Sequence, residues 1–181
     1  MVRIIDAVRK DHKELESYYN KIVTSEDADE QTRFQNQFTW ELARHSVGEE
    51  LVVYPAMKKY LRDGEKDREQ HRTVFQDLPC SDPRFIPTIT ILMDDFAQHM
   101  HDVETIDLVK LESAITPKES ERLGKSFDRT KIFMPTRSHP SLPDRPPYET
   151  ATGLMAAPLD HLQDIFRRWP DDGVNLTPSM E

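Results

Sequence analysis

The stretch HSVGEELVVYP, residues 45–55, sets a histidine four positions ahead of a glutamate, His45 and Glu49. A four-residue step puts both side chains on one face of a helix. Phe34, Phe38 and Leu42 lead into that face and Val52 extends it, with steps of 4, 4, 3, 4 and 3. An imidazole and a carboxylate therefore lie inside an apolar stripe rather than on its solvated back. Pro55 is expected to kink or end this helix.

Three other stretches carry a histidine in the same way. Ile5, Val8, His12, Leu15, Tyr19 and Ile22 advance by steps of 3, 4, 3, 4 and 3, as do Ile89, Leu92, Phe96, His99, Val103 and Ile106. His71, Val74, Phe75 and Leu78 make a shorter face before Pro79. Turn-rich segments separate the four: SEDADE at 25–30, Asp63–Gly64 and Ser81–Asp82–Pro83. Four amphipathic helices with short connections predict an all-α chain, an antiparallel four-helix bundle with every stripe on the common axis. One histidine on an apolar face is ordinarily a hydrogen-bonded core residue. Four of them with a glutamate, all aimed at one interior, would cost several kcal/mol to bury without strong partners. A metal centre offsets that cost. The donors are nitrogen and oxygen with no thiolate set, and they outnumber the four that zinc requires. A pair of irons bridged by carboxylates suits the count, with manganese or zinc as substitutes of compatible ligand type.

Composition limits the partners. With 24 Lys and Arg against 33 Asp and Glu, the chain carries a formal charge of −9, which repels nucleic acid and anionic membrane surfaces. No stretch approaches the ~18 apolar residues of a membrane span, and MVRIIDAVRKDHKE lacks the apolar core of a signal peptide. The single cysteine, Cys80, forms no disulfide within the chain, so the expected compartment is reducing and cytoplasmic. The composition shifts near residue 116: prolines crowd the rest, above all MPTRSHPSLPDRPPYETATG at 134–153. Residues 1–116 are read as the bundle and 117–181 as a C-terminal extension. That extension is a proline-rich arm carrying one terminal helix, at 157–169, whose stripe of Leu159, Leu162, Ile165, Phe166 and Trp169 predicts docking on the bundle. The arm is expected to cover one end of the pocket.

The order DH (11–12), HSVGEE (45–50), QH (70–71) and QHMHDVE (98–104) resembles the hemerythrin-like HHE cation-binding family over about residues 1–112. The extension is similar in style to that of fungal members. The resemblance implies a non-haem di-iron centre held by His12, His45, Glu49, His71, His99 and Glu104, with Glu49 bridging. There are two departures. The usual glutamate four residues after the last histidine is Val103 here, and Glu104, five after His99, takes its place. Oxygen-carrying hemerythrins use a five-residue step there as well, with aspartate. His101 with Glu104 is a competing i, i+3 pair. The second histidine of the third helix is also missing, with Phe75 at that spacing. This leaves an open position on one iron unless Asp67 or Glu16 fills it. Glu50, His139 and His161 are read as surface, packing or supporting residues. Among the tyrosines Tyr18, Tyr19, Tyr54 and Tyr60, one is a candidate to line the centre and hydrogen-bond an iron-bound oxygen species; core packing is the plainer reading for each. Two functions follow. The chain is a metal-binding protein that binds or responds to dioxygen or iron; alternatively, it is a di-iron oxidase or oxygenase acting on a small organic molecule.

Overall fold

The computed structural model describes residues 2–61, 78–131 and 170. The chain is all-α, a four-helix bundle, with no strand among the described residues. Residues 62–77, which include His71, and the expected terminal helix at 157–169 lie outside them. No described helix is long and apolar enough to cross a membrane.

Helix α1 (Ile4–Thr24) begins without a side-chain cap of its own. Its first free N–H groups are met by residues more than 100 positions away. Ile4 N–H donates to Ser120 Oγ at 3.2 Å and Ile5 N–H to Glu112 Oε1 at 3.5 Å, while Ser120 Oγ–H donates to the same Glu112 oxygen at 2.6 Å. At the other end, Gln31 donates its side-chain amide to the carbonyls of Ile22 and Ser25. Helix α2 (Ala28–Gly48) follows after a short turn, with Asp27 accepting from Asp29 N–H as its cap.

The second rod does not stop at Pro55. It passes through a π turn (Glu49–Val53) into helix α3 (Tyr54–Leu61), and Tyr54 N–H bonds back to the carbonyl of Glu49. In a regular helix the Pro55 ring would press on the carbonyl of Leu51; the wider turn before it relieves that clash. A turn pinned by Asp82 and Arg84 leads into helix α4 (Phe85–Asp102), a second π turn (Val103–Asp107) and helix α5 (Leu108–Ala114). This second π turn corrects the expected stripe. The extra residue advances the register, so Asp107 is buried at 7% exposure and Ile106, expected inside, is 41% exposed.

The sequence reading placed no helix immediately after residue 116. Helix α6 (Pro117–Thr130) stands there, started by Thr116, whose hydroxyl accepts from Glu119 N–H, and by Pro117 in its first turn. Its inner face is Ser120, Leu123, Gly124 and Phe127. Gly124 is packed so closely on α1 that an added Cβ would meet Val2 O at 2.6 Å. Gly124→Ala is therefore expected to destabilise the fold by about 1–3 kcal/mol, the usual cost of overpacking against atoms that cannot swing aside. Thermal denaturation followed by circular dichroism checks this, and an unchanged Tm would show that α6 is loosely held.

The core has two apolar halves. One gathers Ile4, Val8, Val53, Leu108, Leu111 and Phe127; the other gathers Leu15, Ile22, Phe38, Phe85, Ile89 and Phe96. Burial of side chains this large contributes roughly 1.5–3 kcal/mol each before entropy. Between the halves, at the level of residues 11–12, 45–49 and 99, the interior is polar.

Candidate metal centre

Three buried side chains from two rods meet in this polar layer. His12, His45 and Glu49 are 2%, 1% and 2% exposed, and one ligand atom from each lies within 4.8 Å of the other two. The Nε2 atoms of His12 and His45 face each other at 3.2 Å, and His45 Nε2 lies 3.5 Å from Glu49 Oε1. His99 approaches from α4, with its Nε2 at 3.2 Å from the other carboxylate oxygen, Glu49 Oε2. Tyr54 O–H donates to that same oxygen at 3.1 Å. Phe96 closes the layer, edge-on to the rings of His12 and His45 at 5.9 Å and stacked on His99.

The rear nitrogens decide what the front ones offer. Glu104 Oε1 is 2.7 Å from His12 Nδ1. A carboxylate only accepts, so that nitrogen carries the proton and Nε2 presents its lone pair to the interior. Arg9 fixes Glu104 by donating from Nε to Oε2 at 3.2 Å and from Nη2 to its carbonyl at 3.3 Å. His45 has a looser counterpart, in which Nδ1 faces a carboxylate without a hydrogen bond to it. Its Nδ1 lies 3.4 Å from Asp11 Oδ2, and Lys131 Nζ donates to both Asp11 oxygens at 2.6 and 2.8 Å. Each imidazole thus has a carboxylate behind it, and each carboxylate has a cation behind it. Such partners orient metal-binding histidines and raise their basicity.

This arrangement fits a cation. The facing Nε2 atoms of His12 and His45, 3.2 Å apart, can share one proton or one cation, and Glu49 Oε1 is buried with no hydrogen-bond partner. The protonation states suit it as well. Burial, with help from His45, lowers the pKa of His12 to about 4 against the opposing carboxylates, so its ring is neutral and ligand-ready at pH 7. Burial would raise the pKa of Glu49, but His45, His99 and His12 outweigh it and hold the carboxyl at about 2, ionised. The donor set of two imidazole nitrogens and a carboxylate suits iron, manganese or zinc.

Of the residues expected from the sequence, His12, His45, Glu49 and His99 come together here. Glu104 does not join the converging atoms; its carboxylate is taken by His12 Nδ1 and Arg9. His71 lies outside the described residues. His101 and Glu16 are exposed. No motif in the sequence marks Asp11, Arg9, Lys131 or the buried Asp107 as part of the site. Arg9 stands three residues before His12, hence on its face, but nothing in the spacing says that Glu104 would reach both.

A family model for the hemerythrin HHE cation-binding domain matches residues 3–111. The chain is 47% identical, over 181 aligned positions, to an uncharacterized hemerythrin-like protein of Schizosaccharomyces pombe, with 94% of this chain and 89% of that protein covered. No solved structure matches. Both the family match and the buried histidine–carboxylate layer lead to one assignment: the chain belongs to the hemerythrin family of HHE cation-binding domains.

Proposed function

We propose that the chain holds a pair of iron ions bridged by Glu49 and that it binds or responds to dioxygen or iron. The observation that carries this reading is the division of one carboxylate. Glu49 Oε1 turns to His45 and Oε2 to His99, so histidines from two helices reach different oxygens of a single buried group, as a bridging carboxylate requires. In this reading His12 and His45 hold one ion. His99 holds the other, together with His71, as expected from the sequence. Glu104 serves His12 from behind. Such a centre supplies one-electron and dioxygen chemistry when loaded. The protein's own part is to keep the His12 imidazole neutral, aim the Nε2 atoms, and shield the centre with Phe96. The His99 side chain is 26% exposed, whereas His12 is 2%, so a small ligand approaches from the His99 side. Elemental analysis after anaerobic iron loading tests this: two irons per chain are expected. A content near one would reduce the site to a single ion, and less than that would sink the reading. Loading with manganese or zinc in parallel shows which metal the centre prefers.

A further inference from the structure

We propose that Lys131, beyond the family-matched segment, is a positioning residue of the metal centre that holds His45 in place through Asp11. This rests on the reading of His12, His45 and Glu49 as a metal site. Lys131 is not a surface lysine that happens to lie near an acid. Its side chain is 12% exposed and Asp11 3%, and it reaches both oxygens of the carboxylate that backs His45 Nδ1. Its backbone is fixed too, because Arg44 Nε donates to the Lys131 carbonyl at 2.8 Å. Its ammonium lies 5.1 Å from the centre of the Phe127 ring, which in turn is edge-on to His45 at 6.1 Å. Phe127 gets that close because residue 48 is glycine; a Cβ there would meet Phe127 Cε2 at 2.8 Å. Helix α6 is thereby seated against the back of a ligand.

The physical consequence follows from burial. A buried carboxylate is costly unless its oxygens are partnered, and Lys131 partners both oxygens of Asp11. With Lys131 present, Asp11 Oδ2 is held 3.4 Å from His45 Nδ1, where it faces a proton on that nitrogen and so favours a free Nε2 lone pair for the metal. Without it, Asp11 loses the cation that contacts both of its oxygens. His45 then loses its fixed orientation. The Arg9–Glu104 pair does the same work for His12 from within the matched domain. The Lys131 pair makes metal affinity depend on the docking of α6.

The test uses the full chain with zinc as probe. Zinc affinity is measured by competition with a chromophoric chelator in the wild type, Lys131→Met, Lys131→Gln and Lys131→Arg. Removal of a group that orients a metal-binding histidine typically weakens affinity by about 10–100-fold, and a loss in this range is expected for both neutral variants. Lys131→Arg should restore most of it. In parallel, nitrogen-15 histidine spectra of the zinc-loaded proteins should show the His45 proton on Nδ1 in the wild type and a loss of that signature in Lys131→Met; a merely structural lysine would not shift it. If the wild type binds zinc and the neutral variants match it in affinity and spectrum, the role of Lys131 is overturned and the metal reading stands. If the wild type binds no zinc or iron, both fall. If both neutral variants lose their helical circular dichroism, Lys131 is a folding residue and the positioning role is overturned.

Discussion

On the proposed di-iron reading, Glu49→Gln is expected to strip both ions from the protein at once, weakening each by well over the ~10–100-fold that an outer partner of a ligand commands. The substitution keeps the shape of the side chain and removes one charge. Tyr54 can still donate to the amide oxygen, as it now donates to Oε2 at 3.1 Å, so the fold should survive. The proposed bridging anion, however, is gone, and the histidines are left with no negative charge between them. His12→Ala and His99→Ala make the contrast. Each should lose mainly the ion on its own side, because His12 faces His45 and His99 faces the other carboxylate oxygen. Metal content per chain of the three variants, after identical iron loading, separates the cases. A Glu49→Gln protein that kept one ion at wild-type affinity would show that the two sides are independent and that no bridge exists.

The parts of this centre that were legible in the sequence are those that helical spacing controls. His12, His45, Glu49 and His99 interrupt apolar stripes, and a residue in such a stripe must face the axis whatever its chemistry. Regular periodicity fails where the helix itself is irregular. The π turn at Val103–Asp107 adds a residue to the turn, which puts Ile106 outside and Asp107 inside, and a wheel of 3.6 residues cannot foresee that. Glu104 shows a second failure. Its position beside the site was readable, but its partner was not, since the contact with His12 Nδ1 joins residues 92 positions apart. Helix α6 shows a third. Two of the four buried positions are Ser120 and Gly124, small residues that mark close approach rather than an apolar stripe. Thr116–Pro117 is a helix-start signal, yet at a shift in composition it read as the opening of a proline-rich arm. Lys131 and its role were hidden with that helix.

The metal-stripped protein is expected to be most stable near pH 6.5 and to lose about 3 kcal/mol as the pH falls from there to 4. The acid limb belongs to His12. Its pKa in the folded chain is about 4, depressed by burial and by His45 from an ordinary 6.5. Between those values the unfolded chain binds a proton that the folded chain refuses, so stability rises with pH across the window and drains away on acidification. Glu49 and Asp11 add to the loss only further down. Both have folded pKa values below their ordinary 4.5 and 3.8, so their contributions are present above those values and vanish as the pH falls through the folded ones. His99 has the opposite sign. Burial opposes its charge, but the hydrogen bond and charge of Glu49 prevail and raise its pKa, so its contribution is full below 6.5 and is lost as the pH climbs through the folded value. His99 therefore does not blur the acid limb; it lowers the alkaline side. Urea denaturation at a series of pH values checks the dome, and His12→Gln should flatten it between 6.5 and 4. A wild-type curve level across that interval would contradict the burial of a neutral His12. Bound metal should lift the curve at neutral pH, because it binds the folded state alone. Since it competes with the same protons, the loaded and stripped curves should converge as His12 takes up its proton near pH 4.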